Sequence, residues 1–153
     1  MRSRLLLYAE AWAAIDAEAL AEFWAPEAFA FYKAEEAGHF FLSWNEVLRY
    51  WRTNDRLHAQ VDLCFDIVSE IPLSDAVRSV ITAMEWRIRF REDAVDAAGL
   101  PFRHRGKAMA GFNHVLSLWT DKGDVPRLTG WCEAPNSATL YLAELYTRLG
   151  EQQ

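Results

Sequence analysis

The chain has little cysteine, glycine or proline: two, seven and five in 153 residues. Two cysteines, Cys64 and Cys132, with no C-x-x-C and no histidine at ligand spacing, exclude a disulfide scaffold and a structural zinc site. Both are expected to be buried, reduced thiols. So few Gly and Pro, with 52% hydrophobic and 25% charged residues, exclude collagen, linker and disordered classes. Basic charge is also short, at 16 Lys and Arg against 22 Asp and Glu for a net charge of −6. Nucleic acid, which needs a basic face, is therefore not an expected partner. No run approaches the roughly 20 apolar residues of a membrane span. Met1-Arg2-Ser3-Arg4 and Leu5-Leu6-Leu7 open like an export signal, but the apolar run ends at Tyr8-Ala9-Glu10. A cytoplasmic location is the expectation. Gly-rich phosphate loops, nucleophile elbows, H-E-x-x-H and EF-hand motifs are missing too, so neither metal nor cofactor is expected.

What the chain has in excess is rings: seven Trp, nine Phe and five Tyr, 14% of the sequence. That is more than a small core packs at native density, and it points to a ring-lined cavity.

The first half has helical spacing. Leu5, Tyr8, Trp12 and Ile15 form one stripe. Asp16 caps a second helix through Leu20 to Phe23 and Trp24, which Pro26 stops. Ala28 to Tyr32 reads as a short strand. Ser43-Trp44-Asn45-Glu46 fits a capping box opening a helix with Val47, Leu48 and Trp51 on one side. From His58 the period becomes 2: Val61, Leu63, Phe65 and Ile67, then Met84, Trp86, Ile88 and Phe90 opposite Glu85, Arg87, Arg89 and Arg91. That arginine stripe reads as a solvated or subunit-contact face. A run from Gly106 to Trp119, a loop at Asp121 to Asp124 and a partner strand from Val125 to Glu133 complete a hairpin. Pro135 ends the sheet, and Ser137 opens a last helix, about 137–150, bearing Leu142, Leu145 and Leu149. No repeat or boundary divides the chain, so residues 1–153 are read as one α+β domain. Its strongly curved, mixed or antiparallel sheet wraps the N-terminal helices as a cone.

Several segments resemble the nuclear-transport-factor-2-like superfamily, also called cystatin-like in fold, and within it the SnoaL-like and ketosteroid-isomerase-like group. They are Tyr8 to Trp12, Asp16 to Leu20 with Phe23 to Pro26, Gly38, Trp44 to Trp51, His58, and Gly111 to Val115 with the strand ending at Glu133. The likeness spans about residues 3–135 and rests on element order. It implies a deep apolar pocket for a small, mostly hydrophobic molecule and a homodimer through the sheet, without fixing one activity. Carried over residue by residue, the isomerase base falls near Tyr32, a poor base at neutral pH. The family's donor acid falls near Asn113, which donates but does not titrate. An epoxide-hydrolase set is approached only by Arg91 and Asp93. A dehydratase-like arrangement finds Tyr8, Tyr32, His58 and Asn113, with His39 or His104 as a second base.

The catalytic candidates are thus His58, Tyr32 and Asn113, and the substrate-binding candidates are Tyr8, Trp12, His39, Trp44, Trp51, Trp86 and Glu133. Each has a plainer reading. His58 also suits a strand end in solvent, His104 an exposed basic cluster, and His114 a buried core or interface position. The tryptophans equally suit a core, and Glu133 an arginine partner. The function expected is binding of a small, mostly hydrophobic molecule and, if the protein is an enzyme, its cofactor-free acid–base isomerisation, dehydration or cyclisation. The alternatives are a non-catalytic binding or dimerisation module and a subunit supporting a partner enzyme.

Overall fold

The computed structural model describes residues 1–96, 98–136 and 139–150. Helices α1 (Arg2–Ala13) and α2 (Ala17–Ala21) lead. A 3-10 turn (Pro26–Ala28), β1 (Phe31–Lys33), α3 (Trp44–Trp51) and α4 (Asn54–Leu57) follow. Four longer strands come next: β2 (His58–Ser74), β3 (Val77–Phe90), β4 (Ala108–Thr120) and β5 (Arg127–Pro135), before α5 (Thr139–Gly150). The five strands form one curled sheet in the order β1-β5-β4-β3-β2, antiparallel except for β1 beside β5. This is the expected α+β architecture with a mixed sheet.

The helices lie on the inner side of the sheet because their apolar stripes need a surface and the sheet offers one. Leu5 and Tyr8 of α1, Leu20 of α2, and Val47 and Trp51 of α3 are buried in one core with Val80, Met84, Val115, Trp119, Leu128 and Trp131. Inner and outer residues alternate along β3 and β4, which puts Met84, Asn113, Val115 and Ser117 inside. Arg87 and Arg89 face out.

The structure corrects several local expectations. Ile15 does not extend the α1 stripe. It lies beyond the end of the helix at φ 54°, a strained region for a β-branched residue. Asp16 then caps α2 as expected, accepting from the Glu18 and Ala19 N–H groups at 2.9 and 3.2 Å. Helix α2 ends at Ala21, short of Phe23 and Trp24, so Pro26 opens a 3-10 turn and does not end the helix. The α3 helix forms, but Ser43 makes no side-chain cap, so the capping box is not built.

Strands β2 and β3 run farther than the alternation indicated, joined by a tight turn at Asp75-Ala76 without glycine. Ser74 Oγ accepts the Ala76 N–H at 3.3 Å in place of the usual turn residue. Pro72 is tolerated inside β2 because β2 is an edge strand. Cys64 is exposed and Cys132 half-buried, both free, because their strand parity points them outward. His114 is exposed for the same reason, against the edge of Phe112. Ser137 lies outside the described residues. Among those described, no helix is long and apolar enough to cross a membrane.

Candidate functional site

Between the sheet and residues of α1, α3 and α4 lies a cavity of about 520 Å³. Its wall is built in two halves. The sheet contributes His58, Leu63, Met84, Trp86, Phe90, Trp131 and Glu133. Strand β1 adds Tyr32, and helices and connections contribute Trp12, Glu35, Glu36, Tyr50, Phe102 and His104. That volume is ordinary for a drug-sized ligand.

The polar centre is Glu133 on β5. Its inward parity follows Trp131, and both side chains meet: Trp131 Nε1–H donates to Glu133 Oε1 at 2.7 Å. The other oxygen accepts the Glu35 backbone N–H at 3.0 Å and Asn113 Nδ2–H at 3.3 Å. Asn113, 1% exposed on β4, accepts in turn from Trp86 Nε1–H at 3.4 Å. Trp86 can lie there because its cross-strand partner is Gly111, where a Cβ would fall on the indole ring. Gly111, Trp86, Asn113 and Glu133 therefore form one chain of dependence, from a missing side chain to an oriented carboxyl group.

Burial pushes the Glu133 carboxyl up to about 7, with Glu36 and Glu35 adding to the rise while the Trp131 and Glu35 N–H groups oppose it. Its protonation therefore changes near neutral pH, where a general base works best. Burial lowers the His58 imidazole, against the pull of Glu36. Burial first, and nearby acids after it, raise the Tyr32 and Tyr50 hydroxyls, so both remain protonated donors. The Tyr50 O–H donates to Glu36 Oε1. Among the described residues, His58 Nδ1 is buried with no hydrogen-bond partner.

Of the residues singled out from sequence, the structure brings Tyr32, His58, Trp12, Trp86 and Glu133 to the cavity wall. Asn113 stands behind the wall and reaches the cavity only through Glu133. Tyr8 is fully buried between Phe23 and Trp131 rings. Trp44 and Trp51 pack with Trp24, and His39 is exposed beside Phe41; none of the four lines the cavity. His104, expected in solvent, is half-buried over Phe102 and lines it. Sequence reasoning passed over Glu35, Glu36 and Tyr50. Two adjacent acids just past the first strand were the available signal.

No protein-family model and no curated protein matches the chain. Solved structures do. A nuclear transport factor 2-like superfamily protein from Salmonella enterica serovar Typhimurium superposes at TM-score 0.70, with 8% identity over 90% of this chain and 89% of that one. The fold is that of the nuclear-transport-factor-2-like superfamily. A ketosteroid isomerase-like protein from Erwinia carotovora atroseptica matches at TM-score 0.66 and 12% identity, covering 90% and 94%. A candidate scytalone dehydratase from Novosphingobium aromaticivorans matches at TM-score 0.71 and 6% identity, covering 89% and 81%. At such identities the likeness is one of fold, and this NTF2-like fold is shared by proteins of differing and of unknown function.

Proposed function

We propose that the cavity binds a small, mostly hydrophobic molecule and that Glu133 acts on it as a cofactor-free general base, in an isomerase or dehydratase reaction. One observation carries this reading: a carboxyl group held by three N–H donors inside a largely apolar, ring-lined hollow. A purely structural glutamate gains nothing from being desolvated at a cavity wall, whereas a base gains a working pKa. Glu133 takes a proton from a carbon next to a carbonyl, and the electron pair moves onto that oxygen as an enolate. The Tyr32 hydroxyl is the donor available to the oxygen. Returning the proton to another carbon completes an isomerisation; delivering it to a departing hydroxyl completes a dehydration. Asn113 is a positioning residue that fixes the carboxyl rotamer. The resemblance in fold to a ketosteroid isomerase-like protein and a candidate scytalone dehydratase supports this chemistry.

The test uses a cyclic β,γ-unsaturated ketone, with turnover followed by the absorbance of the conjugated enone. Binding is followed separately by the fluorescence of Trp12, Trp86 and Trp131 around the cavity. Glu133→Gln is expected to lose about 10²–10⁴-fold in kcat with little change in binding. Wild-type activity is expected to rise with pH through about 7, the value to which burial raises Glu133. Tight binding of ring compounds with no turnover of any would replace this reading by a non-catalytic binding module. We also read residues 1–153 as one domain. We further propose a homodimer through the outer sheet face, a reading supported by Leu116 being 44% exposed there; sedimentation of Leu116→Glu checks it.

A further inference from the structure

The cavity wall is unusual in its charge as well as its rings. Among the described residues, seven of the 21 that line it are Phe, Tyr or Trp, three are glutamates, and none is Lys or Arg. Elsewhere the acids find arginines: Glu18 with Arg52 at 2.6 Å, Asp93 with Arg91 at 2.9 Å, Glu27 with Arg127 at 3.1 Å. Among the described residues, Glu35, Glu36 and Glu133 have no ion pair. Glu36 accepts from Tyr50, and Glu133 from its three N–H donors, but among those same residues the Glu35 carboxyl has neither kind of partner. Acidic side chains gathered along low-dielectric walls focus a negative potential into the space between them. Trp12, Trp86 and Trp131 line the same space, and the face of an aromatic ring attracts a cation.

Resting on the reading of this cavity as a ligand site, we propose that its ligand joins an apolar ring system to a protonated amine. The ring system lies among Trp12, Trp86 and Trp131, and the ammonium sits at Glu35 and Glu36. Both halves of the wall then favour the same molecule. The ammonium supplies the counter-charge that the chain withholds, and indole faces attract it further. A carboxylate or phosphate ligand meets no cation and three acids, and loses its hydration on entry without compensation. A neutral ligand keeps only the ring contacts. The reacting carbon lies towards Glu133 and the amine towards the Glu35–Glu36 side, which leaves the base free.

Three ligands of one shape test this by quenching of tryptophan fluorescence: 2-(2-naphthyl)ethylamine, 2-(2-naphthyl)ethanol and 2-naphthylacetate. The amine is expected to bind about tenfold more tightly than the alcohol, the value of one partly desolvated cation–π or charge contact. The acetate is expected to bind most weakly, and added salt to narrow the gap. The double variant Glu35→Gln/Glu36→Gln removes both charges while its amide oxygen at position 36 can still accept the Tyr50 hydroxyl. In it the amine is expected to fall to the alcohol's affinity while the alcohol is unchanged. Equal binding of amine and alcohol, an acetate that binds as well as the amine, or an amine preference that survives the double variant overturns the proposal. Failure of all three ligands to bind overturns it together with the ligand-site reading. Binding of the alcohol without any preference for the amine overturns the proposal and leaves the ligand-site reading standing.

Discussion

Two groups of rings on one side of the sheet end in opposite situations. Trp24 is 1% exposed and touches four other rings, Phe29, Tyr32, Trp44 and Trp51, at centroid distances of 5.7–5.9 Å. It is a plug. Trp86, on the inner side of β3, packs against none of those rings and borders a hollow. Its ring is fixed instead by lying over Gly111 and by donating to Asn113. What separates the two is the opposing layer, since Trp44 and Trp51 of α3 lie directly on the first, whereas Trp12, Tyr50 and Leu57 stand on the cavity wall with the second without filling the space. A tryptophan becomes core or platform according to what reaches it from across the fold.

The largest expected effect breaks that comparison directly. Trp24→Ala removes a ring packed on all sides and is expected to cost about 3–5 kcal/mol. Trp86→Ala removes a ring already facing space and is expected to cost well under half of that, while weakening ring-compound binding. Urea unfolding of both variants, with binding measured on the folded fraction, checks the pair. Similar losses of stability would mean that the cavity is filled when the protein folds.

The next effect is electrostatic. Burial raises Glu133 from 4.5 to about 7, so between these pH values the folded chain holds a proton that the unfolded chain has released. Stability therefore falls as pH rises through that window, by on the order of 3 kcal/mol. His58 acts in the opposite sense. Its pKa is lowered by burial, so below about 6.5 the unfolded chain binds the extra proton and stability falls as pH falls. Glu133→Gln is expected to leave only the second slope, and His58→Gln only the first. Denaturant midpoints from pH 4.5 to 8 decide this, and a Glu133→Gln curve that still falls towards alkaline pH would refute the assignment.

A smaller effect sharpens the role of Gly111. Alanine there places a methyl group on the Trp86 indole, which is expected to cost about 1–3 kcal/mol. It should also break the Trp86–Asn113 bond. If the chain of dependence is right, kcat falls in Gly111→Ala more than the loss of stability accounts for, and the pH at which activity rises moves. Trp86→Phe, which removes the N–H and cuts the indole to a single ring, should move that pH the same way.

How far the sequence showed all this depends on the kind of information each feature needs. The Asp16 cap and the alternation from Met84 to Phe90 were legible because a cap needs only its next three residues and a strand face only its own parity. The sheet's β2–β3 turn was hidden because Ser74 does by a side-chain bond what glycine or asparagine usually does. Glu133 was named as a candidate, but its three donors come from β1's exit loop, β4 and β5. No local pattern reports such convergence. Tyr8, Trp44 and Trp51 were indistinguishable from cavity residues for the reason the ring comparison gives: composition counts rings and does not say which ones are covered.

The smallest prediction tests the same lesson on two caps. Asp16 and Ser43 are both good N-cap residues in sequence, and Ser43 has the better motif, with Glu46 three residues on. Yet Asp16 accepts two backbone N–H groups while Ser43 accepts none. Asp16→Ala is therefore expected to cost about 1 kcal/mol, also losing a negative charge near the positive end of α2. Ser43→Ala should cost less than about 0.5 kcal/mol. Val47 and Trp51 hold α3 down by burial at 0% and 1% exposure, so its first turn does not depend on a side-chain cap. A loss in Ser43→Ala equal to that in Asp16→Ala would show that the capping box forms in solution, and that α3 is held at its start as well as by its buried face.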